Sequence, residues 1–354
     1  MKTYAAKPDE EIKMKLLSRR TDDPRQNWTD VTPALNDDEL VIPPCELWHP
    51  KSTKASAPVN DLSADVPMDL GRKNVPKEKP PTTSQCWAFM GALGGAGTTT
   101  LAVQMAHELA KQHSDSNRKS HRITNPQVCL VDLDFEAGSC SHHLDVEPGL
   151  DMKDLTGDAS RVDTTLAQAL MSVHHSGINV LAAPNILGAN TLVNSMVVLA
   201  LLDAVCEMFP YVILDIPQYW QGWSQAAVGG SDFVGLVSDL TIPSLHMAHT
   251  KRDQLVKMFD DESICEIILT KYERRSLSNT LRLSDAQAAL QCDIFGTICA
   301  DQNTTRQALN CGEPVGVIRN DSRYAKDSRK LLKQIAESMR QNNQNASEKT
   351  HIAV

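Results

Sequence analysis

Long apolar segments are missing from this sequence of 354 residues. The longest clean run, Val197 to Leu202, is far shorter than the roughly 18 residues that a helix needs to cross a bilayer. The first residues also lack the apolar stretch and the small-residue cleavage site of a secretory signal. Both absences predict a soluble protein of the cytoplasm.

Cysteine pairs and an excess of basic residues are absent as well. The nine cysteines include no C-x-x-C pair and their number is odd, so we expect reduced, mostly buried thiols and neither disulfides nor a zinc site. The net charge is -9, from 35 Lys and Arg against 44 Asp and Glu. Because binding to a nucleic-acid backbone depends on cationic side chains that neutralise phosphates, this balance argues against nucleic acid as a partner.

Glycine is nearly absent from the first 83 residues, which contain 11 of the 18 prolines but only one glycine, Gly71. Apolar residues are few there and follow no sustained period, so the segment cannot bury enough surface to offset the entropy of ordering it. We therefore predict a disordered tail over 1–83, one domain over 84–342 and a disordered C-terminal end over 343–354. The apolar island 40–48 is either a docking peptide for a partner or a patch without function.

From Gln85 onwards, short apolar runs alternate with helical patterns, as in an α/β domain. The runs are continuous, which is typical of parallel strands that are covered on both faces. The predicted strands are 86–90, 128–131, 179–182, 211–216, 233–237, 266–270 and 294–298. The predicted helices are 99–111, 191–208, 242–259, 304–310 and 325–341. This order predicts a doubly wound, mainly parallel sheet flanked by helices.

The last of these helices has an apolar stripe, formed by Leu331, Leu332, Ile335 and Met339, beside several Lys and Arg residues. A basic amphipathic helix can lie on a membrane surface, but such a stripe more often packs against the core of its own domain. We therefore expect the stripe to lie on the sheet.

A glycine-rich turn, Gly91 to Thr100, follows the first predicted strand and opens the first helix. Glycines let consecutive backbone N–H groups point at an anion, and the start of a helix adds partial positive charge. The turn is therefore the expected place of a phosphate-binding loop. A dinucleotide fingerprint that began at Gly95 would need a glycine at position 100, where Thr100 stands, so a nicotinamide enzyme is the weaker interpretation.

The loop of the nucleoside triphosphatases fits the turn better, although Thr98 stands where that loop has a lysine. Thr99 keeps the hydroxyl that binds magnesium, and Asp215 ends an apolar run, where an acidic residue would hold the water shell of the metal. Asp132 and Asp134 follow another strand, and the carboxyl ends of parallel strands meet at one edge of a sheet. Each aspartate alone is also a common turn former, so the prediction depends on their combination with the loop.

These residues resemble the deviant Walker ATPases of the ParA/MinD group, whose loop reads K-G-G-x-G-K-[ST]-[ST], and within that group they are most similar to the CpaE/TadZ proteins of Tad (Flp) pilus assembly. The resemblance covers about 85–340 and implies a P-loop NTPase-like fold. It implies that Thr99 and Asp215 hold magnesium and that Asp134 positions the attacking water. The residues that it places around the phosphates of ATP are Gly94, Gly95, Ala96, Gly97, Thr98, Thr99 and Thr100.

The sequence departs from that pattern at three nucleotide-contact positions. Leu93 replaces the signature lysine, Thr98 replaces the loop lysine, and Thr270 stands where the family has an asparagine that recognises the base. Because phosphoryl transfer depends on positioning and electrostatics, the missing cations predict weak ATP hydrolysis or none. Binding of ATP and magnesium through backbone N–H groups remains open, with Arg274 or Arg275 as a compensating cation.

The resemblance implies a Tad/Flp-type pilus assembly or localisation factor, a ParA/MinD-like scaffold that forms a homodimer. Its implied partners are a type II/IV-like secretion ATPase and inner-membrane assembly proteins, and its implied position is peripheral, at the inner membrane or cell pole. The alternative is an active ParA/MinD-type ATPase of partitioning or of cell-pole or septum positioning. The missing lysines and the acidic balance count against that alternative.

Two histidine pairs and two tryptophans stand out beside these motifs. Neighbouring side chains in a helix or strand point in different directions, and no third ligand has a suitable spacing, so we predict no metal site at His142-His143 or at His174-His175. Trp220 and Trp223 either contact a partner or close the edge of the sheet.

Overall fold

The computed structural model describes residues 84–118, 127–273 and 281–352, with side chains for 84–112, 127–273 and 281–341. The predicted tail 1–83, with its island 40–48, lies outside the described residues. The candidate arginines Arg274 and Arg275 lie outside them as well. The division of the chain into tail, domain and C-terminal end stays a prediction.

A twisted sheet of eight strands forms the centre of the described region, in the order β3-β4-β2-β5-β1-β6-β7-β8. The strands are β1 (Gln85–Gly91), β2 (Val128–Asp132), β3 (Ser172–Val173), β4 (Asn179–Leu181), β5 (Tyr211–Ile216), β6 (Phe233–Asp239), β7 (Glu266–Tyr272) and β8 (Ile294–Cys299). Every described pair of neighbours is parallel except β3 with β4. The predicted doubly wound, mainly parallel fold is confirmed, and so are the seven predicted strands. The eighth, β3, has two residues and is too short to form an apolar run.

Helices connect the strands and cover both faces of the sheet. They are α1 (Thr98–Arg118), α2 (Cys140–Leu144), α3 (Met152–Thr156), α4 (Thr164–Ala169), α5 (Ser195–Met208), α6 (Ser224–Gly229), α7 (Ile242–Phe259), α8 (Leu283–Leu290), α9 (Gln302–Cys311), α10 (Val315–Ile318) and α11 (Arg323–Ile352). The bounds of α7 agree with the prediction. The helix predicted from Thr191 begins only at Ser195, because the Asn194 side chain accepts the Met196 N–H at 3.0 Å and caps it there.

Side chains of β1 alternate between two cores, one on each face of the sheet. Trp87 and Phe89 join the core under α1, α9 and α11, whereas Ala88 and Met90 join the core under α5, α6, α7 and α8. Six of the eight cysteines with described side chains are buried, as predicted for most of the thiols. Their reduced state stays a prediction.

The apolar stripe of α11 packs inward. Leu331, Leu332 and Ile335 are at most 2% exposed, and α11 lies against β8 and α1. The prediction that the stripe covers the sheet is confirmed, although the helix continues beyond the predicted end at Gln341, to Ile352. Among the described residues, no helix combines the length and the apolar character needed to span a membrane.

Candidate functional site

The glycine-rich turn lies at the point where the sheet changes its winding direction. Strand β1 pairs with β5 on one side and β6 on the other, and the turn follows its carboxyl end. Ligands of open α/β sheets bind in the crevice at such a point. Here the crevice is a cavity of about 750 Å³, lined by most of the turn together with Asp134, Asp215, Thr270 and Lys271.

The turn needs its glycines for the shape of the backbone. Gly95 and Gly97 have φ angles of 79° and 88°, in the left-handed region that side chains rarely adopt. A Cβ on Gly91 would lie 2.9 Å from the Thr98 hydroxyl oxygen. The Leu101 N–H donates to the Gly97 carbonyl at 3.0 Å, so α1 starts directly from the turn. The result is a tight loop that leads into the start of a helix, as phosphate-binding loops do.

Two lysines from distant elements reach this loop, which has no lysine of its own. Lys251 of α7 donates from Nζ to the Gly91 carbonyl at 2.8 Å and also to the Gln218 carbonyl. Lys271, near the end of β7, donates to the Gly95 carbonyl and lines the cavity. Burial lowers the pKa of Lys251 to about 8. Sequence reasoning missed both residues, because no local motif marks a lysine that arrives from a different strand or helix.

Thr270 lies near the end of β7 beside the loop and stabilises it. Its side chain is buried, and its hydroxyl lies 2.5 Å from the Ala96 carbonyl oxygen and 3.2 Å from that of Ser238. A hydroxyl has one proton to donate, so the two carbonyls share it. The next residue, Lys271, has a φ of 53°, in the left-handed region. Its side chain donates a hydrogen bond to the Gly95 carbonyl.

The structure brings together the predicted magnesium pair, Thr99 and Asp215. Asp215 lies one residue before the end of β5, is 5% exposed, and accepts the Cys140 thiol at 3.6 Å. Burial raises the pKa of Asp215, and the neighbouring side chains of Thr99 and Cys140 partly counteract this. A hydroxyl next to a carboxylate is the oxygen donor set that Mg²⁺ prefers.

Asp132 stabilises a turn and does not line the cavity. It lies beside Asp215 in the sheet register and accepts the backbone N–H groups of Asp134 at 3.1 Å and Cys140 at 3.0 Å. Burial, with the charge of Asp215, raises its pKa. Gly138 packs against it so closely that a Cβ there would lie 2.5 Å from both carboxylate oxygens. Of the three predicted aspartates, Asp134 and Asp215 line the cavity.

Asp134, the predicted residue for the attacking water, is fixed by a network of hydrogen bonds. Its Oδ1 atom accepts the Tyr219 hydroxyl and the Ala137 N–H at 3.0 Å. The Tyr219 oxygen in turn accepts from the Asn190 amide at 3.0 Å. Burial and the bond to Asp134 raise the pKa of Tyr219. Tyr219 was not foreseen, because only the fold brings its loop to the end of β2.

Thr100, the last of the predicted phosphate contacts, is engaged by a histidine. Its hydroxyl lies 3.2 Å from His143 Nε2, and His143 Nδ1 lies 2.7 Å from the Ser139 carbonyl. A carbonyl only accepts, so Nδ1 carries the proton and Nε2 accepts from Thr100. Burial lowers the pKa of His143, in agreement with a neutral ring. The Thr100 side chain therefore fixes α2 to the start of α1.

The fold resembles that of P-loop NTPases. A glycine loop follows the central strand, a threonine opens the next helix, and aspartates stand at or near the ends of neighbouring strands. No family model matches the chain, and no curated protein matches its sequence. Solved structures do match its fold. A ParA family ATPase from Chlorobium tepidum has a TM-score of 0.60 at 17% identity, over 72% of this chain and 98% of that one.

Two further matches are archaeal. The cell division ATPase MinD of Pyrococcus furiosus has a TM-score of 0.58 at 17% identity, over 72% of this chain and 99% of that one. The septum site-determining protein MinD of Pyrococcus horikoshii, complexed with Mg-ADP, has a TM-score of 0.57 at 16% identity, over 71% of this chain and 96% of that one. The chain therefore has the fold of the ParA and MinD ATPases.

Proposed function

We propose that this protein is a ParA/MinD-like scaffold of the CpaE/TadZ kind, an assembly or localisation factor of a Tad/Flp-type pilus with weak ATP hydrolysis or none. One observation carries the proposal. The loop has the shape that binds phosphate, yet Leu93 and Thr98 stand at both of its lysine positions. A site that keeps its backbone cradle and loses its cations retains binding more readily than it retains catalysis.

The residues present fit magnesium better than they fit the phosphates. Thr99 and Asp215 would hold the metal ion, which supplies positive charge to the phosphate oxygens when bound. The backbone N–H groups of Gly94 to Thr100 would contact those oxygens. Asp134, fixed by Tyr219, would orient a water molecule at the rim of the cavity.

The scaffold function needs a surface for partners, and the segments after β4 and β5 present a group of exposed apolar side chains, the apolar rim. Leu187, Leu192, Met196 and Trp220 are between 42% and 93% exposed. Their two loops touch, because the Asn190 amide donates to Tyr219 at 3.0 Å. Exposed apolar side chains in one place favour a protein contact. We propose that they serve a homodimer and contacts with a secretion ATPase and inner-membrane assembly proteins, at the membrane or cell pole.

An active ATPase of partitioning or of cell-pole or septum positioning is the second candidate, and Lys271 favours it. Its ammonium group lies in the cavity wall, on the Gly95 carbonyl, where it can compensate for the missing loop lysine. The two candidates share the same fold and differ in what the site does with ATP.

Calorimetric titration with ATP and magnesium, together with a hydrolysis assay, separates them. Gly97→Val should abolish binding, because a β-branched residue is strained at a φ of 88°. Gly188→Val, with a similar φ of 81° outside the cavity, is the matched control and should bind as the wild type does. Hydrolysis that is lost in Asp134→Ala would establish the active ATPase and overturn the scaffold proposal.

A further inference from the structure

Three potential metal ligands meet outside the cavity, on the turn between β3 and β4. His175 Nε2 lies 2.5 Å from one carboxylate oxygen of Glu313, and His174 Nε2 lies 3.6 Å from the other. One ligand atom from each residue lies within 4.8 Å of the others. Glu313 follows α9 and is 138 residues from His175, so only the fold brings this third ligand to the histidines.

The turn explains why two neighbouring histidines face the same way. The His174 N–H donates to the Ile178 carbonyl and the Gly177 N–H to the His174 carbonyl, both at 2.9 Å. Gly177 has a φ of 88°, which closes the turn. The two imidazole rings lie 4.1 Å apart between centroids, at an interplanar angle of 40°. Neighbouring side chains point apart in a helix or strand, but in this turn the two imidazoles lie together.

Glu313 is held rigidly on the other side. Its N–H donates to the Ala308 carbonyl at 3.0 Å, and Gly312 ends α9 with a φ of 63°. A Cβ on Gly312 would lie 2.3 Å from Cβ of Asp145, so this segment is pressed against α2 and its C-terminal end. The carboxylate therefore reaches the histidines from a fixed backbone.

The cluster has an unmatched acceptor. Among the described residues, the Glu313 oxygen that faces His174 is buried and has no hydrogen-bond partner. The distance of 3.6 Å to the imidazole is too long for a hydrogen bond, and His174 itself is 4% exposed. A buried oxygen without a partner is costly, and a cation between carboxylate and imidazole would satisfy it.

The turn also fixes the orientation of the His174 ring. Its Nδ1 atom lies 2.7 Å from the Ser176 hydroxyl oxygen and accepts the Ser176 backbone N–H at 3.3 Å. Because Nδ1 is an acceptor, the ring proton lies on Nε2, on the side of Glu313, and a metal ion bound at Nε2 would replace that proton.

We propose that His174, His175 and Glu313 bind one divalent transition-metal ion of the zinc class. Two imidazoles and one carboxylate suit Zn²⁺ and its neighbours and not Mg²⁺ or Ca²⁺, which prefer oxygen ligands. The ion joins the β3–β4 turn to the segment after α9 and stabilises their contact. Three protein ligands leave a fourth position for water.

Equilibrium dialysis of the purified, chelator-treated chain against Zn²⁺, followed by elemental analysis, tests the proposal. The wild type should bind one ion at this site. His175→Ala and Glu313→Gln should weaken that binding by at least about 100-fold, since the loss of an outer-shell partner alone costs 10–100-fold. The His175 side chain is exposed, and glutamine keeps the shape of the Glu313 side chain. The circular dichroism spectra of both variants should therefore match that of the wild type.

Two control variants identify zinc bound elsewhere. Cys311→Ser removes the exposed thiol close in sequence to Glu313, and Cys140→Ser alters the buried cluster with Asp132 and Asp215. Both should bind zinc as the wild type does. Zinc should also raise the melting temperature of the wild type and not of His175→Ala, and Mg²⁺ should not replace it. Equal zinc affinity in the wild type, His175→Ala and Glu313→Gln, or loss in a cysteine control alone, would overturn the proposal.

Discussion

Lys271 and Lys251 place their ammonium groups on carbonyl oxygens of one loop, but they differ in their surroundings. Lys271 is exposed and lines the cavity, whereas Lys251 is half-buried and bridges Gly91 to Gln218. The first is available to an anion that enters the cavity. The second stabilises the loop itself.

If ATP binds, Lys271→Met should therefore weaken the binding by about 10-fold or more, because hydrogen bonds to charged groups contribute about 1.5–3 kcal/mol. Titration calorimetry with Mg-ATP measures the change. Lys257→Met, at the exposed end of α7, is the matched control and should leave the affinity unchanged. Equal affinities of the two variants for Mg-ATP would show that Lys271 does not contribute to nucleotide binding.

Gly138 is a residue beside the candidate site where an added methyl group should be costly. Its Cβ would lie 2.5 Å from the Asp134 carbonyl oxygen as well as from the Asp132 carboxylate. We expect Gly138→Ala to lower the free energy of unfolding by about 2 kcal/mol, through overpacking of a fixed backbone. Gly222→Ala meets only the Ser195 hydroxyl, at 3.0 Å, and should cost much less in the same urea denaturation experiment.

The raised pKa values of the buried aspartates predict a pH dependence. Where the folded-state pKa of a group exceeds its unfolded value, the folded state binds more protons, so stability is lost as pH rises through that interval. The interval begins near the ordinary Asp pKa of about 4. Asp215→Asn should therefore gain stability relative to the wild type as pH rises above about 5. Parallel stability–pH curves of the two proteins would contradict this assignment.

At the scale of elements, the end of the chain acts as part of the core. Leu331 of α11 packs so closely on β8 that a Cβ on Gly296 would lie 2.7 Å from its Cδ1 atom. While the protein is folded, this stripe is unavailable to a membrane surface.

Leu331→Ala should lower the free energy of unfolding by about 3 kcal/mol, from lost burial and the remaining cavity. Lys330→Ala, the exposed neighbour on the same helix, should change it by less than about 0.5 kcal/mol. Chemical denaturation of the three proteins measures both differences. A mild effect of Leu331→Ala would mean that the α11 stripe contributes little to the core.

Elements were predictable where a local signal marks their ends. Helix α7 has Thr241 as its cap, whose side chain accepts the Ser244 N–H, followed by a proline in its first turn. Short helices such as α2 and α3 carry no such period, because five residues are too few to show one. The start of α5 was misplaced because the apolar residues before Asn194 continue the helical pattern across the cap.

At the scale of the whole molecule, motif and fold explain different parts of the site. The sequence predicted the loop, Thr99, Asp134 and Asp215, because each follows a strand or opens a helix. It could not predict Lys251, Lys271 or Tyr219, since each reaches the cavity from another part of the sheet. For the same reason the sequence did not show that Glu313 lies beside His174 and His175.

The apolar rim predicts the effect of surface substitutions on assembly. If it serves a homodimer, Leu187→Ser should shift the chain towards a monomer in light scattering after gel filtration. Met258→Ser removes a comparably hydrophobic exposed side chain from α7 and is the matched control. Equal molar masses of the wild type and both variants would count against this rim as the dimer surface.

The contact between His175 and Glu313 has a consequence for biosynthesis. Strands β3 and β8 form opposite edges of the sheet, yet the chain returns after β8 to cover the turn beside β3. A nascent chain that has just completed β8 therefore still exposes that turn, since Glu313 is made later. Closure of this contact awaits the synthesis of the segment after α9, and contacts of such long sequence separation form slowly. Until then β3 is an edge strand without that cover, and an uncovered edge can pair with other chains.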